Sequence, residues 1–238
     1  MRILALDSSG LVASVAVVED NLAEEVTIAE YTVNYKKTHS QTLLPMLDEV
    51  AKMTELDLDT IDAIAVAGGP GSFTGLRIGS ATAKGLGLAL HKPLIHIPTL
   101  EGLACNLWGA TGIVCPIMDA RRGQVYTGIY EFENDRLKVH EGQMAVSIEE
   151  LAEKLKIYEK KITFLGDGVP VFRKVLTEEL LKGFDIAFAP AHMNRQRAAA
   201  VGALAIRYYK EGKIETAAEH QPDYLRVSQA ERERQERG

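Results

Sequence analysis

Apolar residues fall into short runs at the start of the chain and then shift to helical spacing. Residues 2–7, apolar from Ile3 to Leu6, are closed by Ser8-Ser9-Gly10, which predicts a strand and a tight turn. Residues 11–18 predict a second strand, turned at Asp20-Asn21, and residues 25–31 a third. From about Thr38 to Met53 the period changes. Leu43, Leu44, Leu47, Val50 and Ala51 recur at helical spacing, and Pro45 suits such a helix only near its first turn. Residues 61–67 are apolar apart from Asp62, as in a strand buried on both faces. Gly68-Gly69-Pro70-Gly71 separates them from a helix to about Leu90; residues 94–97 predict a fifth strand, and Thr99 opens another helix.

A related order then repeats. Residues 113–118, 124–130 and 137–144 read as strands, and Ser147-Ile148-Glu149-Glu150 is a capping box that opens a helix to about Tyr158. Residues 161–165 predict a strand, 169–182 a helix closed by Gly183, 184–188 a strand, and 196–210 an alanine-rich helix closed by Gly212. The expected organisation is two tandem β-β-β-α-β-α units joined near Gly109 to Gly112. Residues 1–110 form an N-terminal lobe, 111–228 a smaller C-terminal lobe, and 229–238 a charged, solvated tail. Three strands before the first helix are not the alternation of a doubly wound dinucleotide fold. They match the α/β pattern of ribonuclease-H-like and actin-like (ASKHA) two-lobed folds, which by itself fixes no function.

With 46% hydrophobic and 25% charged residues over 238 positions, the chain is an ordinary globular protein and not a disordered or fibrous one. Lys and Arg total 27 against 33 Asp and Glu, a net charge of -6, which argues against tight independent RNA binding. An acidic protein can still serve RNA by gripping a basic partner. Cys105 and Cys115 fit no metal or redox spacing and read as reduced structural thiols, consistent with a cytoplasmic location. No run of apolar residues is long enough to span a membrane, and the N-terminus turns acidic too soon for a signal peptide.

The most distinctive stretch is the glycine-rich run from Gly68 to Gly79, placed where a phosphate loop would sit. It lacks the Lys-Ser or Lys-Thr of a Walker loop and does not fit G-x-G-x-x-G. Amides near Gly69 and Gly71 at this helix start remain candidates for an anion. Gly75, Gly79, Ala83 and Gly87 stand four apart on one helix face. Gly75, Gly79, Gly85 and Gly87 together cost roughly 3–4 kcal/mol of helix propensity. A stripe of small residues offsets this by close backbone approach, either to the chain's own sheet or to a helix of another subunit. The neighbouring helix would bring His39, Leu43, Leu44 and Leu47 to that surface, beside Ile78. Asp7-Ser8-Ser9 occupies the place where actin-like ATPases keep a carboxylate and a phosphate hairpin, although Asp before serines is also a common turn. Its counterpart in the second unit, Asp119-Ala120-Arg121-Arg122-Gly123-Gln124, carries Arg121 and Arg122, which suit an acidic partner, RNA phosphate or simply a charged turn. No histidine pair has metal-ligand spacing, so no metal is expected.

Five stretches together resemble one family. They are Ile3-Leu4-Ala5-Leu6-Asp7-Ser8-Ser9, His39-Ser40-Gln41-Thr42-Leu43-Leu44-Pro45, Gly68 to Gly79, Met118-Asp119-Ala120-Arg121-Arg122-Gly123-Gln124-Val125-Tyr126, and Pro222-Asp223-Tyr224-Leu225-Arg226. Over nearly its whole length the chain is similar to the TsaB (YeaZ) family of bacterial tRNA threonylcarbamoyladenosine biosynthesis proteins. The resemblance implies an actin-like fold and a non-catalytic paralogue of the transferase TsaD, which installs N6-threonylcarbamoyl on adenosine 37 of tRNAs reading codons that begin with A. It also implies pairing with TsaD through the two N-terminal-lobe helices, recruitment of the ATPase TsaE, and a homodimer through the same helices. Transfer RNA is then met only through the complex. The transferase carries a metal-binding H-x-E-G-H; the matching stretch here, Thr99-Leu100-Glu101-Gly102-Leu103, has neither histidine. No cofactor is therefore expected, and ATP only at an interface shared with a partner. Two rival readings are a small actin-fold ATP-dependent kinase and a self-sufficient homodimeric binding protein. On the scaffold reading, Gly79→Leu blocks pairing with TsaD and leaves the monomer folded.

Overall fold

The computed structural model describes residues 1–21, 23–35 and 39–225; Thr38, Arg226 and the expected tail at 229–238 lie outside them. The first unit comprises β1 (Arg2–Asp7), β2 (Ala13–Asp20), β3 (Glu25–Val33), α1 (His39–Met53), β4 (Ala63–Gly69), α2 (Phe73–Leu90), β5 (Leu94–Pro98) and α3 (Thr99–Ala104). The second comprises β6 (Ile113–Asp119), β7 (Gln124–Glu133), β8 (Arg136–Ser147), α4 (Ile148–Leu155), β9 (Ile162–Leu165), α5 (Val169–Val175), β10 (Ile186–Phe188) and α6 (Ala198–Lys210). One sheet is ordered β3-β2-β1-β4-β5 and the other β8-β7-β6-β9-β10. In each, an antiparallel meander continues into parallel strands, so the expected duplication is present and the architecture is actin-like.

Boundaries move where local chemistry intervenes. The strand expected from Ile61 starts at Ala63, because Ile61 closes a 3-10 turn, Leu58–Thr60, capped by the Asp57 side chain. The helix expected over residues 169–182 is α-helical only to Val175 and then widens into a π turn, Leu176–Leu180. Pro45 lies in the second turn of α1, where it donates no hydrogen bond back to residue 41; its face is exposed, so water can serve the freed carbonyl.

Strand alternation divides each sheet between two cores. Ile3 and Ala5 face α6, whereas Leu4 and Leu6 face α1 and α2. In the second sheet Ile113, Cys115 and Ile117 face α4 and α5, and Val114 and Met118 face α3. Fully burying each such Leu, Ile or Val contributes about 1.5–3 kcal/mol. The last helix of the second unit thus packs on the first sheet, and α3 packs on the second.

Polar groups fix the crossing of α6. Arg197, its N-terminal flanking residue, makes no side-chain cap. The first amides are met instead from the first sheet: Ala198 N donates to Ser14 Oγ (2.9 Å) and Ala199 N to Glu30 Oε1 (3.0 Å), while Arg197 pairs with the same Glu30 carboxylate. Glu30→Ala should lower stability by about 2 kcal/mol, since it removes a helix cap and an ion-pair partner together. Urea unfolding would read this as a lower midpoint, and an unchanged midpoint would remove this cap from the account.

Candidate functional site

The turn after β1 is held from within. Asp7 is buried, and its Oδ1 accepts from Ser9 N (2.9 Å) and Ser9 Oγ (2.7 Å). Burial pushes the Asp7 carboxyl up to about 6, against the lowering effect of the two Ser9 hydrogen bonds. The glycine loop closes onto this turn. Ser72 N donates to Ser9 O (2.7 Å), Gly69 N to Thr99 Oγ1 (3.0 Å), and Gly75 N to Ser72 Oγ (3.3 Å). A Cβ on Gly71 would overlap the Ser9 carbonyl. The Gly69 amide of the expected anion cradle is therefore already engaged, as are those of Ser72 and Gly75 beside it, and Gly71 serves close packing of the loop on the β1 turn.

Helix α2 has two contrasting faces. Gly75, Gly79, Ala83 and Gly87 are all buried. A Cβ on Gly75 would overlap the Ser8 carbonyl, one on Gly79 would stand 2.5 Å from Ser8 Oγ, and one on Gly87 would overlap the Leu94 side chain. Ser8 Oγ also donates to Gly75 O (2.9 Å). For Gly75, Gly79, Ala83 and Gly87 this corrects the partner-interface expectation: the stripe faces the chain's own sheet. Leu43 and Leu47 of α1 are likewise buried in the core shared with β1, β2 and β4. His39 is half-buried, with its ring nitrogen Nε2 2.7 Å from the Gly10 carbonyl oxygen, and Ile78 is half-buried against the same core. Of the nine expected interface residues only Leu44 is plainly exposed, at 54%.

The outward face of the pair carries a different set. Leu44 and Pro45 on α1 and Ala81, Gly85, Leu88 and Ala89 on α2 are exposed, with Leu88 at 65%. A Cβ on Gly85 would meet nothing within 4 Å. Ala81, Gly85 and Ala89 are also four apart, so this second stripe was present in the sequence beside the first.

The second-unit hairpin turns through Arg121 and Arg122, both with positive φ (67° and 57°). Arg121 is committed to Asp119, with N on Oδ1 at 2.8 Å and Nη1 on Oδ2 at 3.0 Å; Arg122 is exposed. Gln196 is buried between the two units. Its Nε2 donates toward Met118 Sδ (3.6 Å), and a Cβ on Gly10 would lie 2.8 Å from the same nitrogen. On α3, Thr99 caps Gly69 and Leu103 lies in the core, while Glu101 accepts from Tyr208 Oη (2.6 Å). Burial raises the Glu101 carboxyl. Cys105 and Cys115 are buried free thiols; burial pushes both up, Cys115 to about 12, so neither is reactive near neutrality. One group escaped sequence reasoning altogether: His96, Glu215 and His220, too far apart along the chain for any spacing rule, meet at one place.

Two predictions follow from this packing. Gly79→Leu should unfold or strongly destabilise the monomer, against the sequence expectation, because the added side chain must displace Ser8 and Val66; a native melting profile would refute it. Asp7→Asn should stabilise. The raised carboxyl penalises the folded state only when ionised, so the penalty is absent below about pH 4 and complete above about pH 6. Asparagine keeps an oxygen for Ser9. The gain should approach about 3 kcal/mol at pH 8 and vanish near pH 4, as measured by unfolding at both pH values.

Comparison with known proteins agrees with this architecture. The family model for TsaD, tRNA N6-adenosine threonylcarbamoyltransferase, matches residues 27–234. The tRNA threonylcarbamoyladenosine biosynthesis protein TsaB of Bacillus subtilis is 35% identical over 97% of this chain and 96% of its own length. The Escherichia coli protein of the same name is 30% identical over 95% of each. The solved structure of YeaZ from Pseudomonas aeruginosa superposes with a TM-score of 0.77 at 26% identity, covering 94% of this chain and all of that one. No helix among the described residues is long and apolar enough to cross a membrane. With its duplicated sheet, its glycine-seated α2 and this likeness over nearly its full length, the chain belongs to the TsaB (YeaZ) family of tRNA threonylcarbamoyladenosine biosynthesis proteins.

Proposed function

We propose that the chain is a non-catalytic scaffold for N6-threonylcarbamoylation of adenosine 37 in tRNAs that read codons beginning with A. It acts by pairing with the transferase TsaD, and the ATPase TsaE joins the pair. The observation that carries this reading is the outward face of α1 and α2. Leu44, Pro45, Ala81, Gly85, Leu88 and Ala89 present apolar surface to solvent on two neighbouring helices. Open space over Gly85 admits the backbone of a partner helix.

The absence of an active site in this chain is part of the proposal. Thr99 and Leu103 occupy the two positions where the transferase motif has histidines; one caps a backbone amide and the other fills the core. Gln196 occupies space between the β1 turn and β6. These features speak for a scaffold over the kinase-like alternative, in which nucleotide would have to enter between the units. The net charge of -6 fits a chain that meets tRNA through its partners. A second copy fits the same apolar face, so homodimer and heterodimer compete for it on this reading.

Leu88→Glu places a charge in the centre of the proposed contact, where desolvating it is costly. The expected result is at least a tenfold loss of affinity for the TsaD homologue, with circular dichroism and melting unchanged. Gel filtration of the mixed proteins and titration by calorimetry would measure it. A folded Leu88→Glu protein that binds TsaD as tightly as the parent would refute the surface.

A further inference from the structure

We propose that His96, Glu215 and His220 form a binding site for a borderline divalent cation of the zinc class, which clamps the C-terminal segment to β5. This inference does not depend on the scaffold reading. His96 lies on β5, while Glu215 and His220 lie on the segment that leaves α6 and returns to the first sheet. Glu215 is fixed by two backbone hydrogen bonds to Leu94, at 2.8 and 2.9 Å. His220 is fixed by a turn in which its N donates to Thr216 O (3.1 Å), and Lys84 Nζ donates to its carbonyl (2.8 Å). One donor atom from each of the three side chains lies within 4.8 Å of the others.

The hydrogen bonding of the group favours a ligand. The His220 side chain is fully buried, with Nδ1 2.6 Å from Glu215 Oε1, and its Nε2 has no hydrogen-bond partner among the described residues. His96 Nε2 is buried too. An Asp223 carboxylate oxygen stands 3.1 Å from it but out of line, so this nitrogen also lacks a hydrogen bond. The two rings lie 5.6 Å apart. Buried polar atoms are nearly always satisfied, and two unpaired imidazole nitrogens beside a carboxylate are an exception that a shared cation would remove. Two imidazoles and one carboxylate are a zinc-type donor set, unsuited to magnesium or calcium, which take oxygen ligands. Ligand atoms around a tetrahedral ion stand about 3.4 Å apart, so atoms lying within 4.8 Å of one another need close by at most about 1.4 Å on binding.

The clamp has a structural consequence. Asp223 N donates to Gly68 O (2.7 Å), and the Tyr224 ring meets Phe73 at 5.0 Å between centroids. The returning segment therefore lies along the glycine loop, and a cation at its root would hold it there.

The test uses the untagged full chain, stripped with a chelator and titrated with Co²⁺ and then Zn²⁺. The expected result is one equivalent of Co²⁺ with the visible absorption of a four-coordinate ion, its displacement by Zn²⁺, and a higher melting temperature with metal. His220→Gln risks misfolding because the side chain is buried, so His96→Gln and Glu215→Gln carry the test, each first shown to be folded. Each should lower Co²⁺ affinity at least tenfold and abolish the metal-dependent rise in melting temperature. The proposal is overturned by the absence of saturable Co²⁺ absorption in the parent, or by unchanged affinity in a folded His96→Gln protein.

Discussion

The seat of α2 on the turn after β1 is the contact on which the chain's outer surface depends. The Ser8 carbonyl stands where Gly75 would carry a Cβ, Ser8 Oγ takes the corresponding space at Gly79, and the same hydroxyl donates to Gly75 O. No residue larger than glycine permits that approach without moving the turn. The helix is thereby drawn flush to the sheet, and its rotation is fixed about its own axis. Once Gly75, Gly79, Ala83 and Gly87 face inward, Ala81, Gly85, Leu88 and Ala89 must face out. The surface left for a partner is thus a geometric consequence of how the helix is packed at home.

The second constraint is the crossing of helices between the duplicated units. Ser14 and Glu30 of the first sheet supply the hydrogen-bond acceptors that the start of α6 lacks locally. Gly202 allows the helix to settle against Val18 and Ala5. Helix α3 makes the reciprocal move onto the second sheet, and Glu101 on it meets Tyr208 on α6. Gln196, at the entrance to α6, is buried where the two units approach each other.

The element order was legible because apolar runs, turn residues and capping patterns are local signals. The strands from Arg2 and Gln124 and the helices ending near Met53 and Leu90 match expectation for that reason. The inward stripe of α2 was legible as spacing but not as direction. Two four-residue repeats share that helix, and the contacts with Ser8, Leu94 and the core show which one is buried. Pairings such as Glu30 with Ala199 or His96 with His220 join residues distant in the chain, so no local pattern announces them. The family resemblance identified the fold and the pathway, whereas the direction in which the α2 stripe faces needed the packed structure.

The central claim is that the outer face of α1 and α2 is where the transferase docks. Because Cys105 and Cys115 are buried with raised thiols, a cysteine introduced at the exposed Gly85 would be the only fast-reacting thiol. The decisive measurement is the labelling rate of Gly85→Cys with and without the TsaD homologue, beside Glu159→Cys, exposed on the second unit, as a control. The account predicts a marked slowing at position 85 and no change at position 159. Equal labelling at position 85 in a mixture that demonstrably forms the complex would contradict it.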